Sequence, residues 1–90
     1  MIKIWGKTIR KNKIIKSHMV ESASNLDEHL VFDSVDIICE KFDIARPIIL
    51  DKHRNDMREF FLMRFFPEDF IEKVNFDKFE IEVYIKKKKN

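Results

Sequence analysis

The stretch DKHRND, with Glu59 just beyond it, gathers Asp51, His53, Asp56 and Glu59 into one short segment. Carboxylates beside an imidazole are the groups that hold a divalent cation or pass a proton as an acid/base pair. The same residue types also suit the start of a helix, where acids are stabilised by the macrodipole. Capping is the better account, and a metal-dependent enzyme built on residues 51–59 ranks third among the functions considered. Cys39 sits on an apolar helical stripe, whereas a reactive thiolate wants a cationic, partly exposed setting; a packed thiol fits better. His18, His29 and His53 lie on separate elements, and zinc needs several ligands at short spacing. Asp77, Glu80 and Glu82 loosely resemble the carboxylates of metal nucleases, but Glu80 and Glu82 are also what alternate positions on the solvent face of one strand require. Gly6 is the only glycine, which excludes phosphate-binding loops, the dinucleotide fingerprint and the nucleophile elbow. No catalytic residue, metal-ligand set or cofactor is assigned.

Two further constellations bear on binding. The stretch WGKTIRKNKIIKSH surrounds one tryptophan with cations and contains no acid. Single-stranded nucleic acid is held by aromatic platforms for bases and cations for phosphates. Lys3, Trp5, Lys7, Lys16 and His18 on one sheet face would supply both, and the tail Lys86–Lys89, starting with Lys86 and Lys87, would add phosphate attraction. Against this, the net charge is only +2, and Glu80 and Glu82 on a neighbouring strand would neutralise the lysines. The stretch FFLMRFF is the second constellation. Aromatics, Met and Arg are favoured at protein interfaces, so Phe60, Phe61, Phe65 and Phe66 are candidate interface residues. The favoured account makes most of them core and leaves the remainder to a homodimer or partner surface.

These residues need elements to hold them. Ile2–Ile9 and Ile14–Val20 read as strands around a turn at Lys11-Asn12, since Asn tolerates left-handed angles. A two-residue loop predicts Trp5 facing His18 and Ile4 facing Met19. Ile2, Ile4, Gly6, Thr8, Ile15, Ser17 and Met19 then form the core side and Lys3, Trp5, Lys7, Ile9, Ile14, Lys16 and His18 the other, and a one-residue slip would undo that sorting. A main helix over about 25–43 follows, capped by Asn25 with Glu28, its apolar stripe running Val31, Val35, Ile38, Cys39 and Phe42. Pro47 ends it, and Pro47–Leu50 is expected as a short buried strand. A shorter helix runs from Asp51 to about Phe60, while periodicity leaves residues 60–66 open between helix and strand. Pro67-Glu68-Asp69 starts a new helical turn. Phe79, Ile81, Val83 and Ile85 alternate with polar residues as a half-buried strand. The expected fold is a single α+β domain over residues 1–85, with a mainly antiparallel sheet that starts with a β-hairpin, and a basic tail at 86–90.

RFFPEDFIEKVNFDKFEIEV, with IWGK and IICEKFD, resembles segments of a group of short bacterial proteins of unknown function. The resemblance implies a complete small protein and carries no activity or site residue across. Composition agrees with a bacterial source: Lys, Ile, Phe and Asn are abundant and Ala, Gly and Pro scarce, as an A/T-rich genome would write them. That habit also discounts lysine clusters as signals. No apolar run reaches the ~20 residues that span a bilayer, and no signal peptide is evident. The single cysteine fits a reducing compartment, so the cytoplasm is expected, with no membrane partner. The preferred function is a non-catalytic protein-interaction module, working as a homodimer or on a larger protein partner. A weak nucleic-acid binder is the alternative.

Overall fold

The computed structural model describes residues 1–85; the tail, including Lys86 and Lys87, lies outside the described residues. Lys11 and Asn12 both take left-handed angles (φ 52° and 64°), the geometry that a two-residue hairpin turn requires. They join β1 (Ile2–Arg10) to β2 (Lys13–Ser22). Arg10 pairs with Lys13 and Ile9 with Ile14, as the turn predicts. Thr8, however, pairs with Lys16, so Ile15 is an extra residue on β2, a β-bulge. Beyond it Trp5 faces Met19 and Gly6 faces His18. The expected register is therefore corrected by one residue, and Lys16 and His18 move to the opposite face from Trp5 and Lys7.

Helix α1 (Glu28–Phe42) starts two residues later than the Asn25 signal suggests. Asp27 is the N-cap, its carboxylate accepting the Leu30 N–H at 2.8 Å, while Leu26 packs against the core. Its stripe Val31, Val35, Ile38, Cys39 and Phe42 is buried. Asp43 closes it in the left-handed region (φ 54°), and Ile44 N–H returns to Cys39 O at 3.0 Å. Residues 43–50 are irregular, correcting the expected strand at 47–50. Pro47 is buried but has no N–H for a ladder. Apart from the bonds that cap the flanking helices, the segment's only backbone bond to another element among the described residues is Ile48 N–H to Asp69 O, 2.8 Å.

Helix α2 (Asp51–Phe60) follows; Leu50, not Asp51, occupies the N-cap, and Phe61 ends the helix at φ 55°. That one left-handed residue settles the ambiguous segment, turning the chain into β3 (Leu62–Phe65). A 3-10 turn (Pro67–Asp69) and a loop lead to β4 (Lys78–Ile85). The sheet is antiparallel throughout, in the order β2-β1-β4-β3, and the domain is α+β. Both helices cover one face, where Ile4, Ile38, Met63, Phe65, Phe79 and Ile81 are fully buried. Phe79 is the hub of the aromatic core, with Phe42, Phe65, Phe70 and Phe76 at 6.1–6.5 Å. Gly6 lets α1 approach β1: a Cβ there would lie 2.5 Å from Ile38 Cγ2. No described helix is long and apolar enough to cross a membrane.

Candidate interaction surfaces

The face of the sheet away from the helices carries Lys3, Trp5 and Lys7 on β1, Glu80, Glu82 and Tyr84 on β4, and Leu62 and Arg64 on β3. Strand alternation places them there together. Lys7 Nζ lies 2.5 Å from Glu82 Oε1 and 4.0 Å above the centre of the Trp5 ring. The Tyr84 hydroxyl donates to the other Glu82 oxygen at 2.7 Å. The Lys7 hydrogen bond first, and the Tyr84 one second, hold the Glu82 carboxyl below its usual range. Accepting that bond from Tyr84, Glu82 in turn raises the phenol. Glu80 is buried between Lys7 and Arg64, with Arg64 Nε at 3.7 Å and Lys78 Nζ at 3.5 Å. Lys3 reaches Glu21 at 3.7 Å.

The bulge thus divides the residues of the basic hairpin between the two faces of the sheet. Trp5 is spanned by Lys7 and stands 6.4 Å from the Tyr84 ring. Lys16, on the helix side, donates to the Phe42 carbonyl at 3.1 Å, and His18 shares its face. Among the described residues proposed to grip phosphate and base, Lys3, Trp5 and Lys7 remain together, and both lysines have acidic partners.

The 51–59 region also separates. Asp51, Asp56 and Glu59 are exposed, whereas His53 is buried beneath α2. Its Nδ1 accepts the Leu50 N–H at 2.9 Å, capping the helix in place of a side-chain oxygen. Its Nε2 points to Asp69 Oδ2 at 3.6 Å, and its ring lies 4.4 Å from that of Phe65. Asp69 Oδ2 instead accepts the Phe66 N–H at 2.9 Å, which closes the 3-10 turn on itself. Among the described residues no three His, Cys, Asp or Glu side chains cluster as a metal site. Cys39 is buried, and burial, with Asp36 second, pushes its thiol up to about 12.

The expectation that most of the four phenylalanines are core is corrected: one is. Phe65 is fully buried and belongs to the core, while Phe60, Phe61 and Phe66 are exposed at 67%, 41% and 41%. Phe60 and Phe66 flank a recess of about 530 Å³ along the outer edge of β3, shared with Lys52, Asp56, Leu62 and Arg64. β3 is an edge strand, and the Val83 N–H donates to Phe61 O at 2.9 Å. Antiparallel ladders alternate, so Met63 and Phe65 bond inward to β4 while Leu62 and Arg64 turn their N–H and C=O groups outward. Those four groups have no backbone partner among the described residues. The composition of FFLMRFF pointed to this segment, but nothing in it pointed to an outward-facing backbone. Set against known protein families, curated proteins and solved structures, the chain has no significant match in any of the three.

Proposed function

We propose that this protein works by binding another protein chain, without catalysis of its own, through the end of the molecule formed by α2 and β3. One observation carries the reading: Phe60, Phe61 and Phe66 stand exposed beside a sheet edge whose Leu62 and Arg64 backbone groups are open. An extended segment laid along such an edge gains main-chain hydrogen bonds, and the flanking rings supply apolar burial. The other edge, β2, suits this less: its bulge at Ile15 and its Lys13 and Lys16 are devices that blunt strand addition. A second copy of the chain or a larger protein would fill the role. Nucleic acid is disfavoured because Lys3, Lys7 and Lys16, the lysines nearest Trp5, already have carboxylate or carbonyl partners.

The test compares wild type with a Phe60→Ser/Phe66→Ser variant, two exposed positions whose change leaves the core intact. Sedimentation over a wide concentration range reads self-association, and cross-linking in cells of the source organism reads a larger partner. One of these interactions is expected in wild type and lost in the variant. Identical behaviour of the two proteins in both assays would sink the reading.

A further inference from the structure

The two helices cover the sheet without closing over its middle, and a second, more apolar cleft lies between them. Val31 and Phe32 of α1, with Leu26 just before it, form one wall, Met57 of α2 and Phe61 at its end form the other, and the buried Met63 lies among them. Its volume is about 210 Å³. A dry cavity of ~150 Å³ already accepts benzene, so this one has room for an aromatic ring and a short chain. Two arginines of α2 border it, one helical turn apart and so on one face. Arg58 reaches across to Glu28 of α1 at 3.2 Å. Arg54 reaches across to the Phe32 ring, 5.5 Å from its centre, and has no carboxylate partner among the described residues. The cleft therefore combines an apolar interior with one planar guanidinium at its rim that has no carboxylate partner among the described residues. Of the two acids on the rim, Glu28 is held by Arg58 and Asp27 by the Leu30 N–H.

We propose that this cleft binds a small apolar carboxylate, with its hydrocarbon part between Val31, Met57 and Met63 and its carboxylate on Arg54. Guanidinium and carboxylate match in geometry as two parallel hydrogen bonds. Few polar groups fixing the orientation of a mainly apolar ligand is the usual makeup of a small-molecule site. The site is separate from the β3 edge and does not depend on the protein-binding reading, apart from sharing Phe61 with it.

The probe is 3-phenylpropionate, titrated into the full chain and followed by NMR, with the neutral 3-phenylpropionamide as its control. Saturable shifts are expected at the methyl groups of Val31, Met57 and Met63. The acid is expected to bind about tenfold more tightly than the amide, the size of one charge-assisted hydrogen-bonded contact. Arg54→Gln, at an exposed position, is expected to bring acid and amide to equal affinity while leaving the remaining spectrum and the melting temperature unchanged. Absence of saturation at millimolar acid, shifts that map elsewhere, equal affinity of acid and amide in wild type, or a preference that survives Arg54→Gln would each overturn the proposal.

Discussion

His53 has 1% of its surface exposed, and its two ring nitrogens have different tasks. Nδ1 must be unprotonated to accept the Leu50 N–H, so the neutral ring carries its proton on Nε2, towards Asp69. At 3.6 Å that proton makes no hydrogen bond, and Nε2 is a buried polar atom without a partner. Burial lowers the pKa of His53 below its ordinary value, and Asp69 only partly offsets this. The native state therefore holds fewer protons on this residue than the unfolded chain does. The stability it contributes is complete above the ordinary histidine value, near 6.5, and declines as pH falls through that value towards the depressed native one. Thermal melts are expected to show a lower melting temperature at pH 5.5 than at pH 7.5. His53→Asn, which keeps an acceptor near Nδ1, is expected to flatten that dependence and to cost about 2 kcal/mol through lost ring packing. An unchanged slope in the variant would mean that another group sets it.

Among the elements, the contact between α1 and β1 depends on Gly6. A methyl group there would meet Ile38 Cγ2 at 2.5 Å and Cδ1 at 2.8 Å, and Ile38 is fully buried with little room to give way. Gly6→Ala is expected to destabilise the fold by about 1–3 kcal/mol. In an Ile38→Ala background the same change is expected to cost clearly less, which denaturant unfolding of the four proteins measures. Gly6 was legible as a core-side position from strand alternation, but its role as a gap for a helix was not, because that depends on a partner far along the chain. The apolar stripe of α1, the Lys11-Asn12 turn and the β4 alternation were legible because each follows from local periodicity or turn chemistry. The β2 register was not, since a bulge at Ile15 has no residue signature and inverts every side chain beyond it. The end of α2 was also hidden: Phe61 at φ 55° is a conformation that bulky residues seldom adopt, held here by its N–H bond to Met57 O at 3.0 Å. The exposed phenylalanines follow from that turn, so the candidate site was visible as composition but not as a surface.

At the scale of the whole molecule, topology decides what the uneven charge can do. Residues 1–20 carry six Lys or Arg and no acid, whereas residues 67–85 carry an excess of acids. Antiparallel pairing of β1 with β4 lays one block directly on the other, opposing Lys7 to Glu80 and Trp5 to Glu82. Cross-strand neighbours of opposite charge are mutually stabilising, so Lys7 beside Trp5 is neutralised within the fold. The outward charge of the hairpin lies at its turn, on the exposed Arg10, Lys11 and Lys13. A nucleic acid reaching Trp5 would have to displace Lys7 from the ring and compete with Glu82 for its ammonium. Short single-stranded and duplex oligonucleotides at about 0.15 M salt are therefore expected to show no change in anisotropy, and Trp5 emission is expected to stay constant. At low salt, attraction by the C-terminal lysines would raise anisotropy with a steep salt dependence but still without quenching of Trp5. Glu82→Gln removes the carboxylate that holds Lys7 and is the variant in which Trp5 should first respond to single strands. Quenching of Trp5 in wild type, with the same salt dependence as the anisotropy, would reverse the assignment and make the open sheet face a nucleic-acid surface.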